Sequence, residues 1–251
     1  MCGRFAVTTD PEMLAARIGA VNEIPAERYA GPSYNVAPTD DVIAVVCRHG
    51  EPGDRPTRRL RQMRWGLVPP WTRTGADGRP APGGRLLINA RADKVATSPA
   101  FRASADHRRC LVPMDGYYEW RTAPGSPAGR KARKTPFYIH GDGATLFAAG
   151  LWSVWRPHKT SEPVLSLAII TTDSVGDLAG IHDRMPVLLT QSHWDRWLDP
   201  DSAIDTGMLN GALAAPRTVL RQVSPLVNSV ANNSPDLIAP AAPQPEQAYL
   251  L

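Results

Sequence analysis

The sequence predicts an α+β fold, a single domain of largely antiparallel β-sheet with a few short helices. Short segments rich in β-branched and aromatic residues, bounded by Gly or Pro, outnumber the helical segments. The two kinds of segment do not alternate regularly, which argues against a doubly wound parallel sheet. The chain has 251 residues, 43% of them apolar, which is enough to bury one large core.

Local signals predict the elements in chain order. Residues 4–7 have the pattern of a first strand, and Asp10 caps a helix that starts at Pro11 and ends near Ile18. Six strands are then predicted over residues 42–48, 60–65, 111–120, 137–140, 146–155 and 164–172. Further helical segments are predicted over residues 95–98, 174–179, 192–198 and 205–214. Ser192 caps the third of these, and Asp199-Pro200 ends it.

Two stretches rich in Pro and Gly, residues 72–85 and 121–136, are predicted to be long loops between strands. The second loop contains the basic run GRKARK at 129–134, and both a disordered loop and a DNA-contacting loop fit this run. Residues 239–251 are low in complexity and predicted to be a disordered tail. The predicted domain therefore spans residues 2–238.

Composition excludes several classes of protein. The net charge of +4 and the pI near 9.1 permit nucleic-acid binding without requiring it. No segment reaches the ~20 apolar residues of a membrane helix, and no signal peptide precedes Cys2, so we expect a soluble, cytoplasmic protein. The three cysteines are widely spaced and form no CxxC pair, so we expect neither a disulfide framework nor a metal site. Cys47 and Cys110 lie in apolar runs and are predicted to be core residues.

The second residue is the strongest functional signal. Removal of Met1 would leave Cys2 with a free α-amine and a thiol on adjacent carbons. Their ordinary pKa values of ~8 and ~8.5 leave both groups partly nucleophilic near neutral pH. With an aldehyde, the amine would form a Schiff base that the thiolate closes to a thiazolidine; with an amide or ester, the thiolate would attack while the amine serves as base. A frayed terminus is the alternative, but a strand follows Cys2 with no flexible leader.

Five further segments combine polar residues with rigid neighbours: SYNVAP at 33–38, WGLVPPW at 65–71, INARAD at 88–93, DGYYEW at 115–120 and IHDRMP at 181–186. Together with MCGR at 1–4, this set closely resembles the SRAP family, whose members crosslink themselves to abasic sites in single-stranded DNA. The resemblance extends from Cys2 to about Ile238. It implies curved, largely antiparallel sheets that form a barrel-like core flanked by short helices, and we expect a monomer that needs no cofactor.

The resemblance implies four central residues, Cys2, Asn89, Glu119 and His182. An abasic sugar is mostly a closed hemiacetal, so the reaction needs a nucleophile, an acid for ring opening and a group that moves protons at the Schiff base. Glu119 follows two aromatic residues, where partial burial would raise its pKa. His182, with an ordinary pKa of ~6.5, suits protonation of the sugar oxygen. Asn89 would hold the sugar or the amine.

Six residues are predicted to contact the DNA: Arg4, Asn35, Pro38, Trp71, Arg91 and Arg184. The three arginines are expected to bind phosphates, because a guanidinium pairs with phosphate through two hydrogen bonds. Trp71 stands on a loop stiffened by Pro69-Pro70 and is expected to stack on a base beside the lesion, whereas Trp65 is expected in the core. Asn35 and Pro38 would border the cleft.

The chain departs from the family pattern at three positions. Asp93 stands where many relatives have glutamate, Thr72 where some have a second tryptophan, and Pro99 where some have arginine. All three departures concern DNA contact and leave the reactive centre intact.

Two other functions remain open from the sequence. Glutaminase domains also begin Met-Cys-Gly, which favours an N-terminal-nucleophile amidohydrolase, but that function gives no role to Glu119 or to residues 181–186. A non-catalytic single-stranded DNA-binding module is the second alternative. If the chain acts as a SRAP protein, its Schiff base with the abasic sugar would also permit β-elimination, which is an AP-lyase activity. The family's peptidase name implies removal of the residue before Cys2, since no triad suited to cutting other proteins is visible.

Overall fold

The computed structural model describes residues 2–81, 84–123, 134–209 and 217–241. These ranges form a mixed α+β fold that consists mostly of strands, as predicted. The helices are α1 (Pro11–Ile18), α2 (Arg102–His107) and α3 (Gln191–Leu198). The strands are β1 (Phe5–Val7), β2 (Val21–Asn22), β3 (Ser33–Val36), β4 (Asp41–Arg48), β5 (Thr57–Trp65), β6 (Asn89–Arg91), β7 (Arg109–Met114), β8 (Gly116–Thr122), β9 (Lys134–Gly141), β10 (Leu146–Trp155), β11 (Val164–Asp173), β12 (Arg184–Pro186) and β13 (Thr218–Gln222).

Helix α1 has the start and stop signals expected of a helix at both of its ends. The Asp10 side chain accepts hydrogen bonds from the backbone N–H groups of Glu12 and Met13, and Pro11 occupies the first position. Gly19 ends the helix in the left-handed region, with φ of 63°. The predicted start and end of this helix are confirmed.

The larger sheet has the order β12-β11-β10-β7-β4-β5-β2, and β6 pairs with β11. Strand β11 also pairs with β5, so the pairings of β11, β10, β7, β4 and β5 return to their starting strand and form a closed ring. Most pairs are antiparallel, as predicted. The pairs that β5 forms with β2 and β11, and the pair of β6 with β11, are parallel.

The smaller sheet has the order β13-β9-β8-β1-β3, with every pair antiparallel. Strand β1 lies inside this sheet, where Phe5 is opposite Val36 of β3 and Tyr117 of β8. The N-terminal segment is therefore an integral part of the fold and not a frayed end.

Alternating residues of the ring strands separate two cores. One core packs α1 and α3 against the ring and includes Val45 and Leu111. The other lies between the ring and the smaller sheet and includes Cys2 and Trp65. Trp65 is fully buried and Cys110 is buried, while Cys47 is partly buried against the first core, so the core predictions for all three are confirmed.

Several predicted elements differ from the structure. The strand predicted over residues 111–120 is divided into β7 and β8 at Asp115, because the chain there passes from the larger sheet to the smaller one. The Asp115 carboxylate fixes this passage by accepting hydrogen bonds from the backbone N–H and the hydroxyl of Thr8, at 2.8 and 2.6 Å. Helix α2 and the short strands β2, β3, β6, β12 and β13 lacked a local signal.

The predicted helices were also partly wrong. Residues 95–97 form turns, and a 3₁₀ turn, Gly176–Gly180, replaces the helix predicted over 174–179. Of the segment predicted over 205–214, the described residues 205–209 hold the 3₁₀ turn Thr206–Leu209, and residues 210–214 lie outside the described residues. Helix α3 begins one residue earlier than predicted, after Thr190, so Ser192 is not its cap. Residues 124–133, which hold most of the basic run, and residues 242–251 of the tail lie outside the described residues. Among the helices that the structure describes, none is long and apolar enough to cross a membrane.

One buried arginine connects α2, α3 and the loop after α3. Arg109 at the start of β7 is 4% exposed. Its guanidinium donates hydrogen bonds to five backbone carbonyls, those of Ala105, Asp106, Trp197, Asp199 and Ser202. Three of these carbonyls, those of Ala105, Asp106 and Trp197, belong to the last turns of helices, where a cation is favourable.

We expect Arg109→Met to lower the free energy of unfolding by more than about 3 kcal/mol, because several carbonyls lose their donor together. Arg196→Gln is the matched control. Arg196 pairs on the surface of α3 with Asp205, so its loss should cost less than about 1 kcal/mol. Urea unfolding of both variants measures the difference, and equal costs would contradict this role of Arg109.

Candidate functional site

Cys2 is held in place by both sheets. The residue is fully buried, and its backbone carbonyl accepts a 2.9 Å hydrogen bond from Asn89 Nδ2. Asn89 begins β6, which is paired with β11 of the larger sheet. On the other side, the Arg4 carbonyl accepts a hydrogen bond from the backbone N–H of Tyr118 in β8. Cys2 is thus fixed between strands of the two sheets.

Glu119 lies on the face of β8 that is turned toward Cys2. Tyr117 and Glu119 are two residues apart, so their side chains share one face of the strand. Tyr117 is 1% exposed and Glu119 is 4% exposed. Burial raises the pKa of Glu119, and the nearby His182 opposes that rise only in part. The raised pKa predicted for this carboxyl is confirmed.

The Cys2 thiol differs from the prediction. Burial raises its pKa well above the ordinary value, and the negative charge of Glu119 raises it further. The expectation that the thiol keeps a useful thiolate fraction at neutral pH is therefore wrong for this environment. At neutral pH the structure holds a protonated thiol beside a carboxylic group that can exchange protons.

His182 follows the 3₁₀ turn Gly176–Gly180, just before β12. Its Nδ1 accepts a 3.0 Å hydrogen bond from the backbone N–H of Arg184, so the neutral ring carries its proton on Nε2. Asp183 Oδ1 lies 2.9 Å from the same Nδ1. With Nδ1 as the acceptor, Nε2 is the ring nitrogen that can donate a hydrogen bond.

A narrow pocket, here called the reactive pocket, brings Glu119 and His182 together. It is lined in part by Tyr117, Glu119, Ile139, Ser174, His182 and Arg184. Three buried polar atoms in or beside this pocket have no hydrogen-bond partner among the described residues: Asn89 Oδ1, Tyr117 OH and Ser174 Oγ. Buried polar groups are normally paired, so these three atoms are exceptions to that rule in the described part of the chain.

Arg4 and Asn35 hold each other. The Arg4 guanidinium donates to Asn35 Oδ1 at 2.7 Å and to the Val227 carbonyl at 2.9 Å. Asn35 is 4% exposed, and its Nδ2 donates at 2.9 Å to the carbonyls of Ser229 and Asn232. The pair therefore fastens the loop after β13 against β3 at the edge of the site.

Pro38 lies in the turn between β3 and β4. The next residue, Thr39, has φ of 84°, which is strained for a β-branched residue. Its backbone N–H donates to the Trp65 carbonyl at 2.8 Å, and the Asp40 carboxylate accepts from the Ala37 N–H at 2.9 Å. These contacts hold Pro38 in a rigid turn.

The other predicted DNA-contacting residues fall into two groups. Trp71 is 60% exposed, and Arg91 is exposed with its guanidinium bound through two hydrogen bonds to Asp93, at 2.9 and 3.1 Å. Arg184 is only 9% exposed and donates to Asp173 Oδ1 at 2.6 Å and to the Thr171 carbonyl at 2.5 Å. Both guanidinium groups are thus paired with a carboxylate, and they differ in that Arg91 is open to solvent whereas Arg184 is buried.

Sequence reasoning missed Tyr117 and Ser174. The alternation of β8 was available as a signal for Tyr117, because a residue two positions before a buried Glu119 shares its face. No local pattern could have placed Ser174, which lies after the end of β11. In the described part of the chain, no cluster of His, Cys, Asp and Glu could hold a metal ion.

Solved structures share this fold. A protein from Bacteroides thetaiotaomicron superimposes with a TM-score of 0.75 and 25% identity, over 96% of this chain and all of that one. A phage-related protein from Bordetella bronchiseptica gives a TM-score of 0.64 and 28% identity, over 88% of this chain and 94% of that one. The architecture is that of SRAP-type proteins.

The sequence comparisons identify the family. Residues 1–230 match the family described as SOS response associated peptidase (SRAP). The chain is 34% identical to abasic site processing protein YoaM of Bacillus subtilis, over 95% of this chain and 97% of that protein. It is 30% identical to abasic site processing protein HMCES of Rattus norvegicus, over 84% of this chain and 65% of that protein. The chain belongs to the SRAP family.

The unpaired hydroxyl of Tyr117 makes a prediction about stability. Tyr117→Phe should leave the free energy of unfolding unchanged or raise it by up to about 1 kcal/mol, because the hydroxyl is buried without a partner. Tyr118→Phe should lower it by about 1 to 3 kcal/mol, because the Tyr118 hydroxyl donates a 2.7 Å hydrogen bond to the Tyr34 carbonyl. Urea unfolding of the two neighbouring variants provides the comparison, and a larger loss for Tyr117→Phe would contradict the assignment.

Proposed function

We propose that this protein binds single-stranded DNA at abasic sites and crosslinks to them through a thiazolidine formed by Cys2. The observation that carries the proposal is the fixed, buried position of Cys2 beside Glu119, with His182 in the adjoining pocket. The names of the relatives, abasic site processing proteins, support the same substrate. Met1 is removed before the reaction, because the chemistry requires the α-amine of Cys2.

The reaction has two bond-forming steps. The α-amine of Cys2 attacks the aldehyde of the opened sugar, and loss of one water gives an imine. The thiol then adds to the protonated C=N bond, so that sulfur bonds to carbon, the nitrogen keeps its proton and the thiol proton passes to the Glu119 carboxylate. The product is a five-membered thiazolidine, and no oxidant or reductant is consumed.

Glu119 moves protons in both steps. In its protonated form, which burial favours, it donates a proton to the departing hydroxyl of the first adduct. The resulting carboxylate then accepts the thiol proton as sulfur attacks. This transfer is needed because the Cys2 thiol is not ionised beforehand. A carboxyl with a raised pKa suits both roles.

His182 and the unpaired polar atoms act on the sugar. His182 donates its proton to the ring oxygen, which opens the hemiacetal to the aldehyde. Asn89 holds the Cys2 carbonyl through Nδ2, while its Oδ1 is available to the amine or the sugar. The Tyr117 and Ser174 hydroxyls are positioned to bind sugar hydroxyls.

The proposed DNA contacts differ in kind. Trp71 and Arg91 reach the DNA directly, by base stacking and by phosphate binding. Arg4, Asn35, Pro38 and Arg184 shape the surface that the strand crosses, and their guanidinium and backbone groups contact phosphates from fixed positions. An imine that the thiol does not trap can lose its 3′ phosphate by β-elimination, so AP-lyase activity is part of the proposal.

The amidohydrolase alternative is less compatible with the site. Attack on an amide carbonyl requires a thiolate, whereas burial and Glu119 both disfavour ionisation of the Cys2 thiol. An assay of glutamine turnover separates the two functions, since the crosslinking protein should show none.

Replacement of Cys2 tests the crosslink. Cys2→Ala should abolish the heat-stable adduct on a denaturing gel, because no thiol closes the ring, yet it should still give an imine that borohydride traps. Cys47→Ala is the control and should crosslink normally, since Cys47 lies in the other core. A heat-stable adduct with Cys2→Ala in the absence of reductant, or Met1 retained in the intact mass of crosslinked protein, would refute the mechanism.

Three further variants separate the chemical step from DNA binding. Glu119→Gln should slow single-turnover crosslinking by ~10²-fold or more at saturating DNA, with little change in affinity for intact single strands. His182→Ala should behave likewise. Arg91→Ala should weaken binding and flatten its salt dependence while preserving the chemical step, because one phosphate contact is lost. If Glu119→Gln and Arg91→Ala gave the same profile, the division into reacting and DNA-binding residues would be wrong.

A further inference from the structure

A second concave site lies on the ring strands, away from Cys2. We call it the arginine pocket; its lining includes Arg48, Arg59, Arg61, Trp152, Arg156 and Leu165. The floor is apolar, and guanidinium groups form much of the wall. None of these residues was singled out by the sequence, and the proposed crosslinking chemistry uses none of them.

The fold directs these arginines to one place. Arg48 follows Val46 by two residues on β4, and Arg61 precedes Met63 by two on β5, so both side chains share the face of the core residues. Arg48 lies over the Trp152 ring, with its guanidinium carbon 4.6 Å from the ring centroid. Arg108 approaches the same ring at 5.9 Å. Cation–π contact thus holds two guanidinium groups at one indole.

The charges in the arginine pocket are not balanced. Glu23 pairs with both Arg59 and Arg61, at 2.5 and 2.6 Å, and one carboxylate therefore serves two guanidinium groups. In the described ranges, neither Arg48 nor Arg108 forms a hydrogen bond or an ion pair through its side chain. Burial lowers the pKa of Arg48, and the positive charges of Arg108 and Arg61 lower it further. Glu23 therefore balances only part of the positive charge at this pocket, and Arg48 has no acidic partner among the described residues.

The arginine pocket is separate from the reactive pocket. Leu165, in its lining, lies four residues before Ile169, the partner of Asn89, a distance of about 13 Å along β11. Buried side chains of the core, among them Trp152 and Leu167, fill the space between them. A ligand in the arginine pocket therefore does not occupy the site of the proposed crosslink.

We propose that the arginine pocket binds the phosphate groups of a nucleotide. A planar guanidinium matches phosphate through two hydrogen bonds, and a group with more than one negative charge can engage Arg48 and Arg61 of the lining together, while Arg108 lies beside the same indole. The apolar floor formed by Val154, Pro163 and Leu165 offers a surface for the rest of the ligand. The nucleotide is either free or part of a DNA strand that leaves the crosslinking site, and the two sources share this chemistry.

The double variant Arg48→Gln/Arg108→Gln tests the proposal, with Arg17→Gln/Arg28→Gln as a control of equal charge. Arg17 and Arg28 are exposed and lie outside the arginine pocket. All variants carry Cys2→Ala, so that no crosslink interferes. Calorimetry with ATP probes the free nucleotide, and fluorescence anisotropy with a long intact single strand at several salt concentrations probes the DNA backbone.

We expect the pocket variant to lose at least about tenfold in affinity for one of the two probes, while the control stays close to the parent protein. A loss for ATP identifies a free nucleotide. A loss for the strand, with a salt slope smaller by about 1.4, identifies the DNA backbone, because two phosphate contacts disappear. Equal binding of both probes by the pocket variant and the control would overturn the proposal.

Crosslinking of a short abasic oligonucleotide by the pocket variant with Cys2 restored reports separately on the proposed function and on folding.

Discussion

The internal position of β1 in the smaller sheet is the constraint on which the site depends. Phe5 is opposite residues of both β3 and β8, and Cys2, Phe5 and Ala6 are fully buried. A strand that is paired on both sides cannot shift its register without turning its side chains to the wrong face. Because β8 is one of the two partners, the same pairing sets the position of Glu119 relative to Cys2. Cys2 is thus buried and held in place like a residue of the central strands.

Burial shifts the pKa values at the site and costs stability. Removal of water disfavours the charged forms of the Cys2 thiol and the Glu119 carboxyl, and the charge of Glu119 further disfavours ionisation of the thiol. A raised carboxyl pKa means that the folded state binds a proton which the unfolded state releases, so stability falls as pH rises from about 4.5 through the raised pKa. The core around Trp65 and Phe5, whose rings are 5.1 Å apart, offsets that loss.

Local patterns predicted the parts of the structure that local physics decides. The cap at Asp10, the long strands β4, β10 and β11, and the anchored terminus at Cys2 could all be predicted because propensity, capping and alternation agree there. The division of β7 from β8 and the parallel pairing of β6 depend on which distant strand is available, and no short window contains that information. The raised pKa of the Cys2 thiol likewise depends on burial by both sheets.

The roles of the arginines are the clearest example of what the sequence alone does not predict. Arg109, Arg184 and Arg91 look alike in the chain, but the first serves five backbone carbonyls, the second is held by Thr171 and Asp173, and the third is exposed beside Asp93. Arg48 differs from all three because it has neither a carbonyl nor a carboxylate partner in the described structure. The positive charge that can reach a phosphate is therefore smaller than the arginine count indicates. What decides the role of each guanidinium is the set of acceptors that the fold has already placed around it, since an engaged group must give up those bonds before it binds anything else.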